Sequence, residues 1–218
     1  DAFEPFTDAA GHVDVSAKLM SAVAEDFGEE LRWMSSQGLL DLETRPHKGP
    51  GGFMDNLEKR RVPVIFANSG TTHGDVETLV HEGGHALNGL FCRDLEPVAY
   101  RMPPLEFAEV ASMGLEALAM EHLEDVYPAD EAQRARRDSL EGMLSTFAWV
   151  ATIDGFQHWI YTHPQHTREE RTAAWNTLLD DFSTGVDWSG LETERSSVWH
   201  RQLHIFQVPF YYIEYALA

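Results

Sequence analysis

The chain has 218 residues, 43% of them hydrophobic and 11% aromatic, which is enough apolar material for a substantial core and too much for a disordered segment. Acidic side chains outnumber basic ones 36 to 16, a formal charge of -20 that disfavours nucleic acid and anionic membranes as partners. Cys92 is the single cysteine, so an intrachain disulfide and a thiolate-built metal site are both excluded, and any metal must be held by His, Asp or Glu.

The N-terminal "DAFEPFTDAAGH" lacks the basic and apolar regions of a signal peptide, and no stretch approaches the roughly 20 apolar residues of a membrane span. A cytoplasmic chain without a membrane partner is therefore expected. It begins without Met and stops at "EYALA", and is read as a portion of a longer polypeptide. Residues 15–36 place Leu19, Met20, Val23, Phe27, Leu31 and Met34 at three-and-four spacing, which predicts one amphipathic helix with Gly38 as its stop. The Gly- and Pro-rich stretch 43–53 reads as a loop, and "RVPVIFAN" (61–68) as the one clear strand. That strand serves either as an edge that pairs with an extended peptide or as half of an ordinary hairpin. Thr72 and Asp75 form a capping-box-like start for a helix over 75–91. Pro103 and Pro104 suit the entry of a helix running to about Val126. From Ala129 to about Tyr161 the pattern fits a long helix or a pair broken at Gly155, and Thr167 caps a further helix. The tail from Leu191 reads as helical with an interruption near Pro209. The expected class is mainly α with a small β element, arranged as a single domain over 1–218.

The helix over 75–91 carries "LVHEGGHALN". His81 and His85 lie four apart, hence on one helix face, and can present both imidazoles to one cation. Glu82 points elsewhere, towards a water in the metal's open position, the division of labour of the H-E-x-x-H pattern. The competing reading is an accidental spacing in a chain with 11 histidines. Against it, Leu79, Val80, Ala86, Leu87 and Leu90 surround the motif with apolar residues, so the imidazoles need partners. Gly83 and Gly84 together cost up to about 2 kcal/mol of helix propensity, which points to a close approach to the backbone there.

A catalytic zinc takes three protein ligands. The helix after Pro104 offers Glu106, Glu109, Glu116, Glu121, His122 and Glu124. Glu109 and Glu116 share a face with Ser112, beside an apolar stripe of Phe107, Val110, Leu115 and Leu118, whereas Glu106 suits the helix start through the dipole alone. Glu109 is the chosen third ligand and Glu116 the carboxylate that orients a histidine. In the tail, His204, Tyr211 and Tyr215 are spaced by seven and four. On a continuous helix they offer an imidazole and two phenols in a row, as donors to a developing oxyanion or simply as a packed aromatic stripe. Tyr212 is the rival for the second position.

The segments "GGFMDNLEKRRVPVIFANSGTTHGDVETLVHEGGHAL", "PPLEFAEVASMGLEAL" and "HIFQVPFYYIEYALA" together resemble the catalytic region of the zinc oligopeptidases, the family of oligoendopeptidase F and thimet oligopeptidase. The resemblance covers about Gly51 to Leu118 and the chain from Trp199 onward. It implies a gluzincin-type helical fold with one Zn2+ per chain on His81, His85 and Glu109, and Glu82 as general base. It also implies that a His and a Tyr of the last helix bind substrate and stabilise the transition state, and that internal bonds of short peptides are cleaved. The sequence departs from the family at Gly83, where a bulky residue is usual, and at Asn88, often a histidine. The alternative expectation is a catalytically inactive zinc- or peptide-binding domain that keeps the peptidase fold.

Overall fold

The computed structural model describes residues 3–49, 51–182 and 185–218. These form two compact units that meet in sequence between Asp138 and Ser139.

In the first unit, helix α1 (Ala9–Val23) starts at Asp8, whose carboxylate accepts the Gly11 N–H at 2.7 Å. It buries Val13, Ala17, Leu19 and Met20. Helix α2 (Glu25–Ser36) follows after a single extended residue, Ala24, so the one helix expected over 15–36 is two helices. The cause is packing. A Cβ on Gly28 would fall 2.2 Å from the Ala17 carbonyl oxygen and 2.0 Å from Ser21 Oγ, so the pair folds back tightly only because that position has no side chain.

Three strands follow: β1 (Leu40–Glu43), β2 (Phe53–Leu57) and β3 (Val62–Ser69). The sheet order is β1-β3-β2, with β1 parallel and β2 antiparallel to β3. The strand read from the sequence is thus the centre of a sheet, and the reading of it as a peptide-binding edge is corrected. Both neighbours are only four and five residues long, too short for an alternating pattern to stand out. Pro63 is tolerated in a central strand because pairing with β1 begins only at Ile65. Lys48, whose side chain is 0% exposed, clamps this sheet. Its ammonium donates to the carbonyls of Asp41 (2.9 Å), Glu43 (2.9 Å) and Ala67 (2.5 Å) and lies over the Phe66 ring.

Helix α3 (His73–Cys92) begins with the Thr72–Asp75 capping box. The single helix expected from Pro103 to Val126 is broken instead, into a turn at Leu105–Phe107, helix α4 (Val110–Met120) and a turn at Leu123–Asp125. Its apolar stripe is largely solvent-facing, since Phe107, Val110 and Leu118 are exposed and only Leu115 is buried. The inward face carries Ser112, Leu115 and Ala119.

Helix α5 (Ala129–Thr162) runs unbroken through Gly155, which settles that choice in favour of one helix. In the second unit α6 (Arg168–Asp181) has a Thr167–Glu170 capping box. The core there is Ile153, Phe156, Trp175 and Trp199. The tail is not near-continuous but divided into α7 (Glu192–Ser197), α8 (His204–Gln207) and α9 (Ile213–Leu217). Phe210 adopts φ +65°, a left-handed turn after Pro209, and its N–H is held at 2.9 Å by Gln157 Oε1. Among the described residues no helix is long and apolar enough to cross a membrane.

Candidate metal centre

The buried face of α3 consists of Val76, Leu79, Val80, Ala86, Leu87 and Leu90, with Gly83 and Gly84 between them. The glycines mark close approaches made by the protein itself. A Cβ on Gly84 would lie 2.5 Å from the Ala111 carbonyl oxygen and 2.6 Å from Ser112 Cα, and one on Gly83 would touch the Met20 thioether. With no side chain at 84, α4 can cross directly over the motif, and that crossing brings Glu109 to the histidines.

His81 and His85 occupy successive turns, their rings 4.9 Å apart and nearly perpendicular. Glu109, at the N-terminal end of α4, is 2% exposed. Its Oε2 lies 3.3 Å from Nε2 of His81 and 3.3 Å from Nε2 of His85, and the Ser112 hydroxyl donates to the same oxygen at 2.9 Å. On the other side of the first imidazole, Nδ1 of His81 makes a short contact with Glu116 Oε1. The donor atoms of His81, His85 and Glu109 all lie within 4.8 Å of one another.

A carboxylate this buried requires positive compensation. Burial works against protonation of His81, but hydrogen bonds to Glu109 and Glu116 outweigh it and push its pKa up to about 10. The surroundings therefore favour positive charge where the three donors meet. Two imidazole nitrogens and one carboxylate oxygen are also the donor types that zinc prefers, so this set of residues fits a divalent cation. Glu82 is buried alongside. Burial raises its pKa, His81 and His85 counteract this, Glu109 reinforces it, and the backbone N–H of Met54 donates to its carboxylate. Met54 sits on β2, just beyond the stretch expected to be a loop, and no feature of the sequence marks it.

In the second unit the tail residues form a cluster of their own. Nε2 of His204 lies 3.1 Å from the Tyr215 hydroxyl, and the Tyr211 ring stacks on the imidazole at 5.9 Å. Tyr212 meets the imidazole edge-on at 4.9 Å. No continuous helix carries this group, since His204 lies on α8 and Tyr215 on α9. The residues meet instead because the chain folds back at Phe210.

Fold and donor set together define a mainly helical protein with a three-donor site suited to a divalent cation. The chain belongs to peptidase family M3, whose profile matches residues 17–218. It is 26% identical over 207 residues to oligopeptidase PepF of Bacillus subtilis (strain 168), covering 93% of this chain and 30% of that protein. Group B oligopeptidase PepB of Streptococcus agalactiae serotype III is 23% identical over 206 residues, covering 92% of this chain and 34% of its own length. Among solved structures, PZ peptidase A with inhibitor 2 superposes with a TM-score of 0.91 at 30% identity, covering 99% of this chain and 38% of that one. The chain thus spans about a third of the length of the curated relatives it matches.

Proposed function

We propose that this chain is the metal-bearing catalytic portion of a zinc-dependent endopeptidase that cleaves internal bonds of short oligopeptides. The convergence of two imidazole Nε2 atoms and Glu109 Oε2 from separate helices, with Glu82 beside them, carries this reading. Membership of a peptidase family supports it.

In this reading His81, His85 and Glu109 hold the ion, and Glu116 and Ser112 fix the orientation of His81 and Glu109. A zinc ion bound there would supply Lewis-acid chemistry, polarising a carbonyl and lowering the pKa of water towards about 7. Glu82 accepts the proton of the attacking water and returns it to the leaving amine nitrogen, a role that its burial-raised pKa suits. His204, with Tyr215 or Tyr211, donates to the carbonyl oxygen as negative charge grows on it.

The test is the rate on an internally quenched peptide, together with zinc content, for the protein and its Glu82→Gln variant. The expected result is near one zinc per chain in both and a loss of roughly 10²- to 10⁴-fold in kcat in the variant. Equal rates would end the peptidase reading and leave a zinc- or peptide-binding domain.

A further inference from the structure

We infer that Gln202 is a positioning residue that locks His204 in the tautomer protonated at Nε2. The catalytic meaning of this lock rests on His204 acting as a donor, as proposed above, but the lock itself follows from hydrogen-bond geometry alone.

An indole N–H can only donate. Trp149 Nε1 lies 2.9 Å from Gln202 Oε1, so the carbonyl end of the amide is pinned at Trp149 on α5. The two ends of a glutamine amide are otherwise interchangeable, and the indole removes that freedom. The NH2 end then faces Nδ1 of His204 at 2.6 Å. An amide NH2 cannot accept, so Nδ1 must be bare, and a neutral imidazole with a bare Nδ1 carries its proton on Nε2. That nitrogen is 3.1 Å from the Tyr215 hydroxyl. The bonds therefore run in one direction, from Trp149 through Gln202 and His204 to Tyr215. Tyr215 accepts at its oxygen, which directs its own O–H to a third group. In the opposite tautomer the Nε2 lone pair would claim the Tyr215 proton.

Backbone geometry makes the arrangement possible. Residues two apart on a helix do not face each other, yet Gln202 reaches His204. It does so because Gln202 lies at the junction between the turn ending at Arg201 and the start of α8, with φ -84° and ψ 89°. Ala at this position would remove both contacts at once, whereas Met keeps most of the volume.

The test uses protein labelled with 15N at histidine, with the His204 signals assigned by their loss in His204→Phe. In the unsubstituted protein above the imidazole pKa, His204 is expected to show a bare Nδ1 and a protonated Nε2. Gln202→Met should shift it towards a mixture of tautomers, and Gln202→Glu should place a proton on Nδ1. In parallel, Gln202→Met should lower kcat by roughly 10-fold with KM little changed, less than the 10²- to 10³-fold lost with a whole oxyanion donor. A protonated Nδ1 in the unsubstituted protein, or an unaltered signature in both variants, would overturn the assignment. If the signature holds and His204→Phe leaves kcat intact, the tautomer lock stands and the donor role of His204 falls.

Discussion

Glu116 touches the proposed metal ligands only through Nδ1 of His81, so its effect should be on affinity and not on the ligand count. Glu116→Ala is expected to weaken zinc binding by roughly 10- to 100-fold, measured by competition with a chromogenic chelator. An unchanged affinity would remove its orienting role. His12 supports a second prediction at this scale. It is fully buried, stacked on Phe6 at 4.3 Å, and donates from Nε2 to the Asp75 carbonyl at 2.9 Å. Its Nδ1 has no partner among the described residues. Burial lowers its pKa below 6.5, and the hydrogen bond to Asp75 and that residue's charge offset this only in part. The unfolded chain therefore binds the proton first as pH falls. This contribution to stability is complete above pH 6.5 and declines below it, by at most about 1.4 kcal/mol per pH unit. Urea unfolding between pH 7 and 5 should show a shallower loss in His12→Gln than in the parent protein. Residue-scale geometry was legible where it depends on helical spacing, as at His81 and His85, whose rings lie 4.9 Å apart. It was not legible for Gln202 or Met54, whose roles come from a chain junction and from a backbone N–H.

The crossing of α3 and α4 is where sequence pattern and packing diverge. The adjacent glycines signalled a close approach, but the visitor is α4, with the Ala111 carbonyl oxygen 2.5 Å from where a Gly84 Cβ would sit. Backbone cannot yield as a flexible side chain can, so Gly84→Ala should cost about 1–3 kcal/mol or more in thermal or denaturant unfolding. It should also weaken zinc binding, because the displaced helix carries Glu109. Gly114 is the control on the same helix, since a Cβ there meets nothing within 4 Å. Gly114→Ala should stabilise by up to about 1 kcal/mol through helix propensity. Equal effects of the two substitutions would refute this account. Helix α3 was readable because its capping box, apolar face and length all agree. The break at Ala24, the strands β1 and β2 and the inverted polarity of α4 were not, because each is set by tertiary packing against a local pattern that allows other outcomes.

The core of the first unit is assembled from α1, α2, α3 and the sheet, with Leu19, Met20, Leu31, Ile65, Leu79 and Val80 all buried, and these contacts are apolar. Chelation should therefore abolish turnover while leaving far-UV circular dichroism largely unchanged. Collapse of the helical signal on chelation would instead mark the site as structural. The class was legible at this scale, from hydrophobic periodicity and from three motifs in sequence. The division into two compact units was not, since α5 crosses it without a compositional break. The clamp at Lys48 has one more consequence. Of the three lysines, Lys18 and Lys59 face solvent while the amine of Lys48 is sealed inside the sheet. An acylating reagent should modify the other two lysines at once and reach Lys48 only when the strands part, which gives the molecule a built-in clock for its own opening.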